Sequence, residues 1–143
     1  MNWTIKTFDE LTGKEIYEIL RSRAEVFVKE QRISYVDPDG IDYKSWHVFA
    51  TENDKVCAYL RAFKDGEDTI KIGRVLTLIH GKGTGTQLMK YAISELKAKT
   101  GCKKIIMDAQ SHAISFYQRL GFTITSEEYL EEGIPHVDME ITL

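Results

Sequence analysis

Apolar positions near the start of the chain recur at helical spacing. Ile16, Ile19, Leu20, Ala24 and Phe27 return at the three- and four-residue intervals that place side chains on one face of an α-helix. Just ahead of them Thr12 is followed by Glu15. This pair forms a capping box, in which the hydroxyl and the carboxylate each accept a first-turn amide that has no intrahelical partner. Before it, residues 3–8 read as a short strand. After it, residues 34–45 gather Asp37, Pro38, Asp39, Gly40 and Asp42 and read as a loop. Residues 46–51, 56–63 and 69–79 are rich in β-branched and aromatic side chains and read as three strands joined by short polar turns. The pattern then returns to the helical period. Leu88, Met89, Ala92, Ile93 and Leu96 define one face of a helix over residues 84–99. Residues 103–109 read as a strand. Ala113, Phe116, Tyr117 and Leu120 mark a short helix that Gly121 closes. Residues 122–125 and 136–143 read as two last strands, connected through residues 131–135.

The predicted order is β-α-βββ-α-β-α-ββ. Consecutive strands call for antiparallel pairing and strand-helix-strand units for parallel pairing nearby. The expectation is an α/β (α+β) fold with a mixed, mostly antiparallel sheet of six to seven strands and helices on both faces. With 143 residues and no linker or repeat, residues 1–143 read as one domain, long enough to bury roughly two-thirds of its unfolded surface. The net charge of −3 lacks the basic footprint of a nucleic-acid binder. Cys57 and Cys102 stand alone, without the CxxC spacing of a zinc site, and fit a reducing compartment. The N-terminus lacks a signal-peptide apolar core, and no apolar run reaches the ~20 residues that span a bilayer. A cytoplasmic protein with no membrane, metal or nucleic-acid partner is expected.

The densest chemical signal lies where the strand over residues 69–79 meets the following helix. Gly81, Gly83 and Gly85 alternate with Lys82 and Thr84 after His80. Glycines let a backbone approach a ligand with no Cβ in the way. Amides at a helix start lack intrahelical acceptors and, with the helix dipole, suit a phosphate. Lys82 adds positive charge. A P-loop is excluded because Gly83, not Ser or Thr, follows Lys82. The dinucleotide fingerprint is excluded because Thr86 or Leu88 stands where its third glycine is needed. From this segment alone, a phosphate cradle and a merely flexible turn both remain open.

A second segment, Ala113-Ile114-Ser115-Phe116-Tyr117-Gln118-Arg119-Leu120-Gly121-Phe122, completes a pattern. Together the two segments resemble the cofactor regions of the GNAT superfamily of acetyl-CoA-dependent N-acetyltransferases. Gly83 and Gly85 match the first region, and Ala113, Phe116, Tyr117, Gly121 and Phe122 match the second. The element order resembles the family's fold along nearly the whole chain. Phe27-Val28-Lys29-Glu30-Gln31 and Gly133-Ile134-Pro135-His136 resemble its ElaA-like branch. Two features depart from the pattern. His80 stands where the family usually has Arg or Gln, and the connection from Thr77 to His80 is short.

The resemblance implies a transfer of an acetyl group from acetyl-CoA to an amine, on a small molecule or a peptide, by direct attack in a ternary complex. It is also compatible with a homodimer. The backbone of Val75, Leu76 and Thr77 would pair with the pantetheine arm. His80, Gly81, Lys82, Gly83, Thr84, Gly85 and Thr86 would surround the pyrophosphate, and Gln110 would touch the arm. Tyr117 matches the general acid, although its place on the apolar stripe also suits a core aromatic. His136 alternates with the apolar residues Val137, Met139, Ile141 and Leu143. It is either a base for the acceptor amine or a solvent-facing histidine. His47, at a strand start, and His112, at a helix start, are weaker candidates near the acceptor. Arg61 and Arg74 each interrupt an apolar alternation, so each needs an ion-pair partner or points into a substrate cleft. Asp37, Asp39 and Asp42, and the run Glu127, Glu128, Glu131 and Glu132, could attract a cationic amine but more simply read as solvated surface. A non-catalytic CoA-binding module of the same fold would keep the glycine turn and need no acid.

Overall fold

The computed structural model describes residues 1–33 and 36–143, so the first two residues of the loop expected over 34–45 lie outside the described ones. The strands are β1 (Asn2–Thr7), β2 (Trp46–Glu52), β3 (Lys55–Lys64), β4 (Thr69–Thr77), β5 (Lys104–Gln110), β6 (Thr123–Ile124), β7 (Tyr129–Glu131) and β8 (Ile134–Thr142). The helices are α1 (Gly13–Arg23), α2 (Thr84–Thr100) and α3 (Ile114–Arg119). All eight strands join one sheet in the order β1-β2-β3-β4-β5-β8-β6, with β7 also on β8. Every pairing is antiparallel except β4 with β5. The mixed, mostly antiparallel sheet is as the sequence pattern implies.

Local signals explain most of the elements. Glu15 N donates to Thr12 Oγ1 at 3.1 Å and Thr12 N to Glu15 Oε1 at 2.9 Å, closing the capping box that starts α1. On α2, Leu88, Met89, Ala92 and Leu96 are buried, and Ile93 packs at their edge. They cover one face of the sheet together with Val48, Leu60, Ile72, Ile105 and Met139. Burying such side chains contributes about 1.5–3 kcal/mol each. The helix ends at Gly101, whose φ of 65° is the left-handed conformation of a helix stop. α1 covers the other face only over β2 to β4, where Ile19, Phe27, Phe49, Tyr59 and Leu76 form a second cluster.

Four expectations change. The first helix is not α-helical throughout: it changes at Ala24 to a π-helical segment, Ala24–Glu30. The extra residue per turn carries Ala24 to the surface and turns Val26 and Phe27 inward. The connection over residues 131–135 is instead the tip of a β7–β8 hairpin, which raises the strand count to eight. The loop before β2 contains a turn of 3-10 helix, Ile41–Lys44. Finally, Asp37, Asp39 and Asp42 are not simply solvated, because they are the partners of buried arginines.

Two irregularities of β4 shape the centre of the sheet. Its pairing with β5 covers only Thr69 to Ile72 against Lys104 to Met107. Past Gly73 the strands diverge, while β5 stays paired with β8 as far as Gln110 with His136. On its other side β4 slips register against β3: Gly73 faces Arg61, but Leu76 faces Tyr59. One extra residue is thus bulged at Arg74, whose φ of 54° is left-handed. Past the divergence, one edge of β4 carries backbone groups with no strand beside them.

Candidate active site

The divergence opens a cleft of about 460 Å³ between the π-helical segment and β4 on one side and β5, α3 and the β7–β8 hairpin on the other. It forms because α1 leaves the β5–β8 half of its face bare, so Asp108, Gln110 and His136 line a wall instead of packing under a helix.

Of the residues singled out from sequence, Arg61, Arg74, Val75, Gln110, Tyr117 and His136 meet in this cleft. Leu76, Thr77 and the turn from His80 to Thr86 do not line it, because they continue from β4 toward the start of α2. Gly81 and Gly83 have φ of 74° and 72° there, the left-handed conformation that glycine adopts at no steric cost. Gly83 is the N-cap, and a Cβ on it would meet nothing within 4 Å. The first intrahelical bond is donated by Gln87 to Gly83 O, so the amides of Thr84, Gly85 and Thr86 precede it. Gly85 has a different reason to be glycine: a Cβ would stand 3.3 Å from Phe116 Cζ, which ties α2 to α3. His80, Gly81, Lys82 and Gly83 are exposed, whereas Thr84 is buried.

Tyr117 is 6% exposed and lies edge-on to Phe116 and Phe122. Burial raises its hydroxyl above the ordinary phenol range, which keeps the proton on at neutral pH. That hydroxyl makes no hydrogen bond to a described residue, although the ring borders the cleft. The apolar placement and the cleft placement therefore coexist.

His136 is buried, yet its ring borders the cleft, so it is not the solvent-facing histidine that simple alternation allowed. Its Nδ1 lies 2.7 Å from Ile134 O. A carbonyl only accepts, so Nδ1 carries the hydrogen and Nε2 of the neutral ring is the basic atom. Gln110 is held by a reciprocal amide pair with Gln31: Nε2 donates to Gln31 Oε1 at 3.0 Å and Oε1 accepts from Gln31 Nε2 at 3.2 Å. His112 Nε2 adds a 2.6 Å contact to Gln110 Oε1. Sequence reasoning assigned Gln31 no role, since its partner is 79 positions away. The only signal for it was the Phe27-to-Gln31 stretch of the family resemblance.

His47 does not reach the cleft. It is 2% exposed, and its Nε2 donates to Asp42 O at 2.9 Å while Nδ1 accepts from Tyr59 Oη at 2.7 Å. Burial pushes its pKa below the ordinary value, keeping the ring neutral. It belongs to an ionic network under the cleft. Arg23, fully buried, pairs with Asp37 at 2.9 Å and Asp42 at 2.7 Å and faces the Tyr59 ring. Arg61 pairs with Asp39 at 2.7 Å and Asp42 at 3.2 Å. Arg74 pairs with Asp37 at 3.0 Å and Asp39 at 3.5 Å. Hydrogen bonds from Arg61 hold the Asp39 carboxyl down at about 2. Burial works to raise Asp42, but Arg23 and Arg61 overcome it and keep its pKa below the usual range. Of the buried side-chain polar atoms among the described residues, Arg61 Nε is left without a partner.

A sheet parted beside a bulged strand, with a glycine-capped helix after it, defines a class that the comparisons identify. Residues 16–143 match the acetyltransferase (GNAT) domain family, and the chain belongs to that family, in its ElaA-like branch. Escherichia coli protein ElaA is 34% identical over 97% of this chain and 95% of its own length. Its crystal structure superposes with a TM-score of 0.92 over 98% of both chains, at 33% identity. An acyl-CoA N-acyltransferase from Pseudomonas aeruginosa is 36% identical, with a TM-score of 0.89 over 99% of both chains. An aminoglycoside 6'-N-acetyltransferase complexed with coenzyme A shares the fold, at 16% identity and a TM-score of 0.75 over 97% of this chain and 96% of its own. Among the described residues, no helix is long and apolar enough to cross a membrane.

Proposed function

We propose that the protein transfers an acetyl group from acetyl-CoA to an amine by direct attack in a ternary complex. The observation that carries this reading is the unpaired β4 edge past Gly73, which leads into the glycine-capped start of α2. An edge of free backbone groups can accept an extended amide-bearing arm as it would a strand. The open space at Gly83 and the free amides after it suit a pyrophosphate. These residues fit coenzyme A. Val75, Leu76 and Thr77 would hold the pantetheine arm, with Gly81 to Thr86, Lys82 among them, at the pyrophosphate and His80 at their edge. Gln110 would reach the arm by giving up Gln31.

Acetyl-CoA supplies an electrophilic thioester carbonyl. The residues around it supply position and protons. An alkylammonium, with a pKa near 10, must lose a proton before it can attack, and His136 Nε2 takes it. Tyr117, fully protonated, gives its proton to the leaving sulfur and takes back the second proton of the acylated nitrogen, so the one net proton leaves through His136. Cys57 and Cys102 are both buried and line no part of the cleft, so they offer no nucleophile for a covalent acyl-enzyme. Calorimetry with acetyl-CoA, followed by thiol release over a panel of amines, tests the proposal. Absence of acetyl-CoA binding would refute it. Binding without thiol release would favour the non-catalytic module instead.

A further inference from the structure

Two arginines of the ionic network differ in how completely they are bonded. Arg23, which does not line the cleft, makes five hydrogen bonds, one for each N–H of its guanidinium. They go to the Asp42 carboxylate, the Asp37 carboxylate and carbonyl, and the Tyr59 hydroxyl. Arg61, which does line the cleft, makes three. Its Nη1 donates to Asp39 Oδ1 at 2.7 Å and to Asp42 Oδ1 at 3.2 Å, and its Nη2 donates to Asp39 Oδ2 at 2.7 Å. Its Nε is buried and has no partner. The N–H on Nε and the one left on Nη2 lie parallel along one edge of the planar fork. Arg61 is only 4% exposed, and a buried donor without an acceptor carries its full desolvation cost.

Beside that edge the neighbouring strand is cut away. Arg61 on β3 faces Gly73 on β4, so their side-chain positions share one face of the sheet, with Cβ positions about 5 Å apart. A Cβ built on Gly73 would meet nothing within 4 Å. Its φ is not left-handed either, since the left-handed residue of the bulge is Arg74. Neither backbone conformation nor packing within the chain therefore calls for glycine. A glycine inside a strand weakens it and often marks a place where a ligand comes close. Gly73 borders the cleft together with Arg61.

We propose that the free edge of Arg61 and the open space over Gly73 form a seat for a carbonyl oxygen of the acceptor, so that the acceptor is an amine that also carries an amide group. The proposal rests on the acyltransferase reading and adds to it a second group on the acceptor and the residues that select it. A carbonyl oxygen has two lone pairs and accepts from both N–H groups. Asp39 is 30% exposed, on the loop before β2, so it can move with the guanidinium as the edge meets the oxygen.

Charge favours a neutral oxygen over a carboxylate. Arg61 already bonds two carboxylates, and a third anion on the same guanidinium would stand beside Asp39. Among the described residues lining the cleft, Asp39, Asp108, Glu131 and Glu132 outnumber Arg61, Lys71 and Arg74. Position favours the acceptor over the cofactor. The seat lies on the β3 side of β4, whereas the bare edge of β4 faces β5. β4 and β5 separate Arg61 on β3 from His136 on β8, so the carbonyl and the reacting amine are held at opposite sides of the cleft. Phe63, two residues beyond Arg61 on β3, and Ile41, between Asp39 and Asp42 in sequence, also line it and give the intervening carbon chain apolar contact.

The test follows the Nε–H resonance of Arg61, assigned by its loss in R61K. With 4-aminobutanamide as the probe, the wild-type chain should give a saturable shift there. Pentan-1-amine, which has no oxygen, should bind about tenfold more weakly or worse, on the scale of a lost hydrogen bond to a charged group. The carboxylate analogue 4-aminobutanoate should also bind more weakly than the amide. G73A puts a methyl group into the seat at a backbone conformation that alanine adopts without strain, so it should melt at or above the wild-type temperature. It should bind the amide about tenfold more weakly, because the oxygen is displaced from the Arg61 edge. Equal affinity of wild type and G73A for the amide, or of wild type for the amide and pentan-1-amine, overturns the seat. Tighter binding of 4-aminobutanoate overturns the carbonyl in favour of a carboxylate. Competition between coenzyme A and the amide at Arg61 would give the seat to the cofactor's own amides and overturn it as an acceptor site. Calorimetry of the wild type with acetyl-CoA keeps the two ideas apart. Failure to bind removes the acyltransferase reading, while the carbonyl seat stands or falls on the Arg61 shift.

Discussion

Tyr117 shows why a residue's period does not settle its role. Its ring sits on the stripe with Ala113, Phe116 and Leu120 and packs with Phe116 and Phe122, as a core aromatic would. Yet the residue also lines the cleft. Tyr117→Phe removes one oxygen and no packing, so stability should hold. Thiol release should fall about 10²-fold, the lower range of general-acid catalysis, while calorimetry shows an unchanged affinity for acetyl-CoA. Retained turnover would take the acid role away from Tyr117. The glycines divide in a similar way. Gly83→Ala places a Cβ in open space but at a φ of 72°, a left-handed strain of about 1 kcal/mol or more, and should lower the melting temperature. Gly85→Ala must displace the tip of the Phe116 ring by a few tenths of an ångström, yet gains about 1 kcal/mol of helix propensity. It should melt closer to wild type than Gly83→Ala does.

At the scale of elements, the three arginines and three aspartates fasten the segment before β2 to α1, β3 and β4. Arg23 is the keystone because it has no solvent to fall back on. Arg23→Met leaves the largely buried Asp42 and Asp37 with one arginine each, a loss of about 3 kcal/mol on the scale of a broken buried pair. The melting temperature should drop by about 10 °C, and a change of a degree or two would mean the network adds little. The same network sets the acid response. Asp39 titrates at about 2 in the fold and near 3.9 unfolded. The unfolded chain therefore binds the proton first as pH falls. The stability Asp39 contributes is complete above about pH 5 and is lost toward pH 2. Asp42, lowered by its arginines, acts in the same direction. His47, kept neutral by burial, starts the loss earlier, since the unfolded ring takes a proton that the folded ring refuses. Denaturation midpoints measured from pH 7 to pH 3 should fall, and Asp39→Asn should flatten the decline below pH 5. Local pattern showed that Arg61 and Arg74 need partners, but not which residues those are, nor that Arg23 joins them. Asp37, Asp39 and Asp42 look like an ordinary polar loop, and their partners lie 14 to 37 residues away. α1 and α2 were readable, because a capping box and a five-residue apolar stripe are local signals.

At the scale of the whole molecule, the order of elements along the chain and the two helical faces follow from periodicity, but the strand order and the parting of the sheet do not. A strict two-residue alternation puts Arg74 in phase with Ile72, Leu76 and Leu78. The bulge at Arg74 breaks that phase, and tertiary contacts with Asp37 and Asp39 accompany it. The glycine turn and the Tyr117 segment were visible because they are contiguous in sequence, whereas the cleft between them depends on where β4 leaves β5. That departure makes the last expectation specific. Among the described residues, two bare edges are compared most directly: the outer edge of β1, at one end of the sheet, and the inner edge of β4 past Gly73. A cofactor arm that pairs like a strand should protect only the second. Hydrogen exchange followed with and without coenzyme A should slow at Val75 to Thr77 and at the first turn of α2, while Asn2 to Thr7 exchange as before. At a hundredfold excess over its dissociation constant, coenzyme A should also add about 2.7 kcal/mol to global stability. That gain alone would slow exchange in the most protected core, so the comparison with β1 isolates the local effect. Equal behaviour of the two edges would mean that coenzyme A does not enter where the sheet parts.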